Sequence, residues 1–301
     1  MSKIMKEFKK HWQLYLFILP ALIYIIIFCY VPMGGIIIAF QDYDPALGVF
    51  KSSFVGFAKL KMFFSSYYFS TIIINTLALS FFSLIVNTIF PVVFALILNE
   101  VQSPRFKKFV QTLSSAPYFI SLVVLVGMFN MFLSNEGFIN QILTTLGLNP
   151  INFVGDSKYF RFVYILSGLW QGLGWWAIIY IGALSNVDKS LHEAAVLDGA
   201  NRLQRIWHIN LPAIKPIILV LLIMSFGSLM SVGFEKAFLM QNPGNREVSE
   251  VIATYSYMVT FKTVRDFGFG SAVGLFNSVI NFILLIVANT ISKKVTKESL
   301  I

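Results

Sequence analysis

Of the chain's 301 residues, 57% are hydrophobic and only 12% charged, and Phe alone occurs 31 times. Mean hydropathy is +0.75, and soluble domains carry roughly 25% charged residues, so the composition excludes a water-soluble fold, a disordered chain, a collagen-like chain and a disulfide scaffold. The single cysteine, Cys29, sits inside an apolar run and can form no internal disulfide, and the net charge of +9 informs topology through its distribution.

A helix needs about 20 apolar residues to cross a bilayer. Six stretches meet that length and predict helices over 12–41, 70–98, 109–134, 162–186, 215–234 and 267–292. Apart from Lys215 at the edge of the fifth, none contains Asp, Glu, Lys or Arg. Lys3, Lys6, Lys9 and Lys10 precede the first stretch as they would a signal peptide. That stretch is about twice a signal core in length and lacks a small-x-small cleavage site, so it reads as an uncleaved first span. The fold class is an all-α integral membrane protein, a single domain over 1–301 with six transmembrane helices.

Between the third and fourth spans, residues 137–155 are uncharged until Asp156 but rich in Asn, Gln and Thr. Phe138, Ile139, Ile142, Leu143 and Leu146 recur at helical spacing and stop before Gly147. This predicts a short amphipathic helix against the bundle, closed by a left-handed glycine. Between the fifth and sixth spans, Val248, Val251, Ile252, Tyr255, Met258 and Val259 form a helical stripe within 234–266, expected to pack on the bundle. With six spans, Lys and Arg number 14 on the side of the termini and 9 opposite, against 6 and 8 acidic residues. The positive-inside rule then places both termini in the cytoplasm.

Proton- and ion-coupled carriers usually keep an ionisable residue at membrane depth, and the six runs offer none. His192-Glu193 invites comparison with a zinc-protease helix, but position 196, where the second histidine belongs, is Val196. No phosphate-binding Gly-x4-Gly-Lys-Ser/Thr loop occurs. The chain therefore shows no site for chemistry of its own.

The longest connection on the terminal side is DKSLHEAAVLDGANRLQRIWHINLPAIK, residues 188–215. Ser190 and Glu193 have capping-box spacing, predicting a helix start there. Gly199 with Asn201 predicts a left-handed stop, and a second helix from Arg202 is expected to end before Pro212. The product is a helix–turn–helix whose apolar face carries Leu191, Ala195, Leu203, Ile206 and Trp207.

Glu193-Ala194-Ala195, three residues, Gly199, nine residues, Ile209, one residue, Leu211-Pro212 resembles the EAA loop of binding-protein-dependent ABC importer permeases of type I. The likeness continues in YLFILPALIYIIIFCYVPMGGIIIAFQDYDP, LNEVQSPRFKKFVQT, GLWQGLGWWAIIYIGAL and GFEKAFLMQNPGNREVSEVIATYSYM. These resemble the polysaccharide and oligosaccharide subgroup of that family over essentially the whole chain.

The resemblance implies a bacterial cytoplasmic-membrane permease without catalytic, metal or cofactor residues of its own. Its partners would be a second permease (a heterodimer in this subgroup), two cytoplasmic P-loop ATPases that bind ATP and Mg, and an extracytoplasmic solute-binding protein, with no nucleic acid. Glu193, Ala194, Ala195, Gly199, Ile209, Leu211 and Pro212 would couple ATPase closure to alternating access. Trp170, Gln171, Trp175 and Trp176 supply aromatic faces and an amide suited to pyranose rings, although tryptophans also form interfacial belts. Asn130, Asn277 and Asn281, with Asn75 and Asn87, are polar groups at membrane depth that should face the bundle. The substrate path is assigned to the first four with Asn130, Asn277 and Asn281. The competing readings are a self-contained secondary carrier or channel, an importer of a non-sugar solute, and a membrane-embedded enzyme.

Overall fold

A computed structural model describes residues 3–296, with side chains from 10 to 293. Six of its helices are long and apolar enough to cross a membrane: Lys10–Phe40, Phe69–Asn99, Leu122–Thr145, Ser157–Leu184, Arg202–Phe226 and Phe267–Lys293. Large apolar side chains on them stand exposed, Phe17 at 84% and Phe162 and Phe282 at 63%. In water such surface would drive aggregation; in lipid it is the solvated face.

The chain divides into two compact units, Met1–Ser66 with Ser256–Phe276 and Tyr67–Tyr255 with Asn277–Ile301. In the first, α1 (Lys3–Ile25) is kinked at His11 and runs on through a π turn at Ile26–Tyr30 and a 3-10 segment at Gly34–Phe40. A small antiparallel ribbon follows, β1 (Gln41–Asp42) against β2 (Ser53–Phe54). Lys59 clamps this unit, its Nζ 2.7 Å from both Asp42 and Asp266. Burial opposes its charge, but the hydrogen bonds to Asp266 and Asp42 outweigh that and hold the ammonium above its ordinary value. Phe63 is fully buried against the rings of Phe269 and Phe276.

The second unit is built on α2 (Phe69–Asn99) packed along α6 (Ser157–Leu184). Between them in sequence come α3 (Pro104–Ser115), α4 (Leu122–Leu133) and α5 (Phe138–Thr145). Local chemistry sets these bounds. Ser103 caps α3, with Pro104 at its first position; Pro117 breaks the chain after α3, and Ser121 caps α4. The third span predicted over 109–134 is thus two helices, because the 3-10 turn at Ala116–Phe119 interrupts it. Asp156 caps α6 by accepting from the backbone N–H of Lys158.

The predicted short helix is α5, which forms the end of the third candidate span and does not stand apart from it, and Gly147 closes it at φ +77°. Leu148 N–H reaches back to Leu143 and Gly147 N–H to Thr144, the paired bonds of a Schellman turn. Asn140, fully buried, donates to Ser134 and Ile151 carbonyls and accepts from Ile151 N–H, so its amide pins the following loop.

The main elements that follow are α7 (Lys189–Leu197), α8 (Arg202–Phe226), α9 (Phe234–Met240) and α10 (Phe267–Thr296). The fifth span predicted over 215–234 is shifted: its helix ends at Phe226, and irregular turns lead through Ser231 to α9. The stripe predicted from Val248 to Val259 is not one helix but short pieces at Arg246–Ser249 and Ile252–Tyr257 and a π turn. Its side chains still pack inward, Val251, Ile252 and Val259 all being buried.

Candidate functional site

The helix of the EAA loop begins two residues earlier than the capping-box spacing suggests. Asp188, not Ser190, is the N-cap, its carboxylate accepting from Ser190 N–H at 2.9 Å. That bond holds the Asp188 carboxyl below its ordinary value. Gly199 ends α7 at φ +78°, with Ala200 N–H bonded to Ala195 and Gly199 N–H to Val196. Among the described residues no atom stands near the Cβ it lacks, so the demand on this position is conformational, not steric. Asn201 is not part of the stop. It caps α8 in a capping box with Gln204, each side chain accepting the other's backbone N–H.

The helix after Asn201 does not end before Pro212. A π turn at Ile206–Asn210 lets Leu211 N–H reach Ile206 O, and Pro212 enters the first turn of the next α segment, where its missing N–H leaves no gap. Arg202 to Phe226 is therefore one continuous rod that joins the loop to the fifth span. Its base is fastened to the end of α2: Glu100 receives Arg205 Nη2 at 3.2 Å and the buried Asn210 amide at 3.1 Å. Of the predicted coupling residues, Glu193 and Ala194 are exposed on α7, Ala195 and Ile209 are half-buried, and Leu211 and Pro212 lie in the rod. Leu197 (88% exposed), one turn after Glu193 on α7, and Leu203 and Trp207 at the start of the rod are apolar side chains that stand exposed.

Within the second unit a cavity of about 570 Å³ lies among α2, α6, α8 and α9, in the size range of small-ligand sites. Of the predicted substrate-path residues only Trp176 lines it. The Trp176 ring folds over Gly172, where any Cβ would strike it. Trp175 instead stacks on Tyr118 at 4.5 Å and 6°. Trp170 meets Phe129 edge-on, and Gln171 donates its amide to Ile120 O at 2.9 Å. Asn281 accepts from Met230 N–H and donates to Ser231, closing the turn after α8. Asn130 and Asn277 are half-buried away from the cavity. Asn75 donates to Glu247 and Glu250 carbonyls and accepts from Arg161.

The cavity brings in residues that sequence reasoning did not single out for the path. Ser225, Ser228 and Ser231 line it, a spacing of three that could have been noticed. Asn87 lines it with a buried Oδ1 that accepts no hydrogen bond from any of the described residues. Lys236 lines it too. In sequence it is one of the basic residues of the 234–266 loop; in the structure it is 7% exposed.

Residues 15–297 match the family model described as the binding-protein-dependent transport system inner membrane component. The chain belongs to this family. The permease is 43% identical over 288 residues to the polygalacturonan/rhamnogalacturonan transport system permease protein YteP of Bacillus subtilis (strain 168), covering 95% of this chain and 89% of that one. It is 41% identical to Protein LplB of the same organism, over 98% and 93% of the two chains. It also resembles a chain from the crystal structure of a bacterial ABC transporter that imports the acidic polysaccharide alginate: TM-score 0.90, 36% identity, 98% of this chain and 100% of the other. In a second structure that transporter is in complex with an alginate pentasaccharide-bound periplasmic protein, and the chain matched there has a TM-score of 0.91, 36% identity, and coverage of 99% and 100%. The permease is accordingly a multi-pass membrane protein of the ABC importer family with the six-helix fold that its sequence predicts.

Proposed function

We propose that this permease is one of two membrane subunits of an ATP-driven importer of a complex carbohydrate, working with two P-loop ATPases and an extracytoplasmic binding protein. ATP and Mg belong to the ATPases in this reading. Loop 188–215 and both termini face the cytoplasm, as the distribution of basic residues argues. The sugar assignment draws on the relatives named for polygalacturonan/rhamnogalacturonan and alginate transport.

The observation that carries the coupling role is the form of the EAA loop. A short helix with an exposed charge at Glu193, small Ala194 beside it and apolar Leu197 at its end offers a docking surface. The Gly199 turn hands it to a rod that continues into the fifth span and is bolted to α2 through Glu100. A displacement of α7 by an ATPase is thereby delivered to membrane helices instead of being absorbed by a hinge.

Co-purification of the tagged chain in mild detergent tests the assembly: a P-loop ATPase and a second six-span permease are expected with it. Gly199→Asp tests the lever, since Asp tolerates a left-handed backbone better than most residues yet places a charge at the turn. Membrane insertion is expected to persist while uptake and recovery of the ATPase are lost. Normal uptake in this variant would remove the coupling role from the turn.

A further inference from the structure

Lys236 occupies an unusual place for a cation. It lies on α9, outside all six spans. Its Nζ donates to the Tyr164 carbonyl at 2.7 Å and sits 4.5 Å from the centre of the Tyr164 ring. It also fills the space beside Gly168, where a Cβ would approach to 2.9 Å. Among the described residues no carboxylate pairs with it. A buried ammonium without a counter-charge is costly unless something compensates it, and burial pushes Lys236 down to about 7. One carbonyl bond leaves two of its three donors for another acceptor.

The same cavity holds the complementary chemistry. The Asn87 Oδ1, buried and without a hydrogen-bond partner among the described residues, is an acceptor for a hydroxyl. Ser225 and Ser228 donate to their own helix carbonyls, which leaves their oxygens able to accept. Trp176 supplies an aromatic wall. One cation, several hydroxyl and amide groups and an aromatic ring match a sugar that carries a carboxylate.

Resting on the carbohydrate reading above, we propose that this cavity receives a uronate unit of the transported glycan, its carboxylate paired with Lys236 and its hydroxyls meeting Asn87 and the serines. A neutral sugar would fill the space and leave the ammonium uncompensated. Lys236 is thus a specificity-determining residue, selecting acidic over neutral glycans inside the membrane subunit.

The test uses the whole importer, with its binding protein, in lipid nanodiscs. ATPase stimulation is measured with galacturonate, mannuronate, guluronate and glucuronate oligosaccharides, each beside its carboxyl-reduced form, which keeps the backbone and loses the charge. A uronate oligomer is expected to stimulate at least about tenfold better than its reduced partner, about 1.4 kcal/mol. Lys236→Gln is expected to narrow that ratio several-fold and Lys236→Arg to retain most of it. The binding protein is the same in every arm, so a changed ratio belongs to the permease. If Lys236→Gln does not assemble, Gly168→Ala, which pushes Nζ from its seat while keeping the charge, carries the comparison. A ratio that survives both variants, or a reduced glycan that works as well as the uronate, overturns the uronate site and leaves the carbohydrate reading standing. If no glycan of either series stimulates an assembled complex that hydrolyses ATP, the carbohydrate reading itself fails, and the uronate site with it.

Discussion

Gly174 shows how much one hydrogen atom in place of a methyl decides in this bundle. A Cβ there would lie 2.3 Å from the Ser114 carbonyl carbon and 2.5 Å from Ser115 N. These are backbone atoms of α3 and its end, so no rotamer change relieves the clash. Lipid provides little hydrophobic drive for helix association, and close approach through small residues takes its place. Gly174→Ala is therefore expected to destabilise the permease by about 1–3 kcal/mol, the usual cost of overpacking, seen as a lower thermal midpoint in detergent. Gly199 is glycine for the other reason, its backbone angle, and a change there is expected to act on coupling first. The spacing already marks Gly199 as a left-handed stop, whereas Gly174 stands out in the sequence only as a glycine, because its reason is the backbone packed beside it.

At the level of elements, the junction between α2 and α8 holds the EAA loop in place. Glu100 binds both Arg205 and Asn210 with its side chain about 15% exposed. Removing it strands a buried amide and a cation together. Glu100→Ala is expected to cost about 1–3 kcal/mol, the desolvation penalty of unpartnered buried groups. Glu100→Ala with Arg205→Ala should cost less than the sum of the two single changes, which a double-mutant cycle on thermal unfolding measures. Additive costs would mean that the pair is idle. Uptake should fall further than stability in Glu100→Ala, because the rod would remain but turn about a loose base. The sequence pointed to a helix–turn–helix here and missed its continuation. A proline normally marks a boundary, and a π turn that absorbs it has no local signature in Ile206–Asn210.

For the molecule as a whole, the six spans and the bias of basic residues imply one orientation. With Cys29 replaced by Ser, a cysteine at Ala46 should react with a membrane-impermeant maleimide in intact cells stripped of their wall. One at Ser190 should react only after permeabilisation. The reverse pattern would invert the topology and place the EAA loop out of an ATPase's reach. Both positions are exposed, so labelling reports sidedness and not burial.

Composition and spacing by themselves determined that this chain lives in a membrane, how many spans it has, and which loop resembles the EAA motif of its family. Those properties are local: they follow from about 20 consecutive apolar residues or from a few residues at fixed separations. The cavity was decided by tertiary structure alone. Trp170, Gln171 and Trp175 looked as suited to a sugar as Trp176 did, yet only Trp176 lines the cavity, while the other three contact Phe129, Ile120 and Tyr118 outside it. Lys236 was only one of the basic residues of the 234–266 loop until the turn after Phe226 folded it onto Tyr164. Residues some 70 positions apart meet there, and no window along the chain contains both.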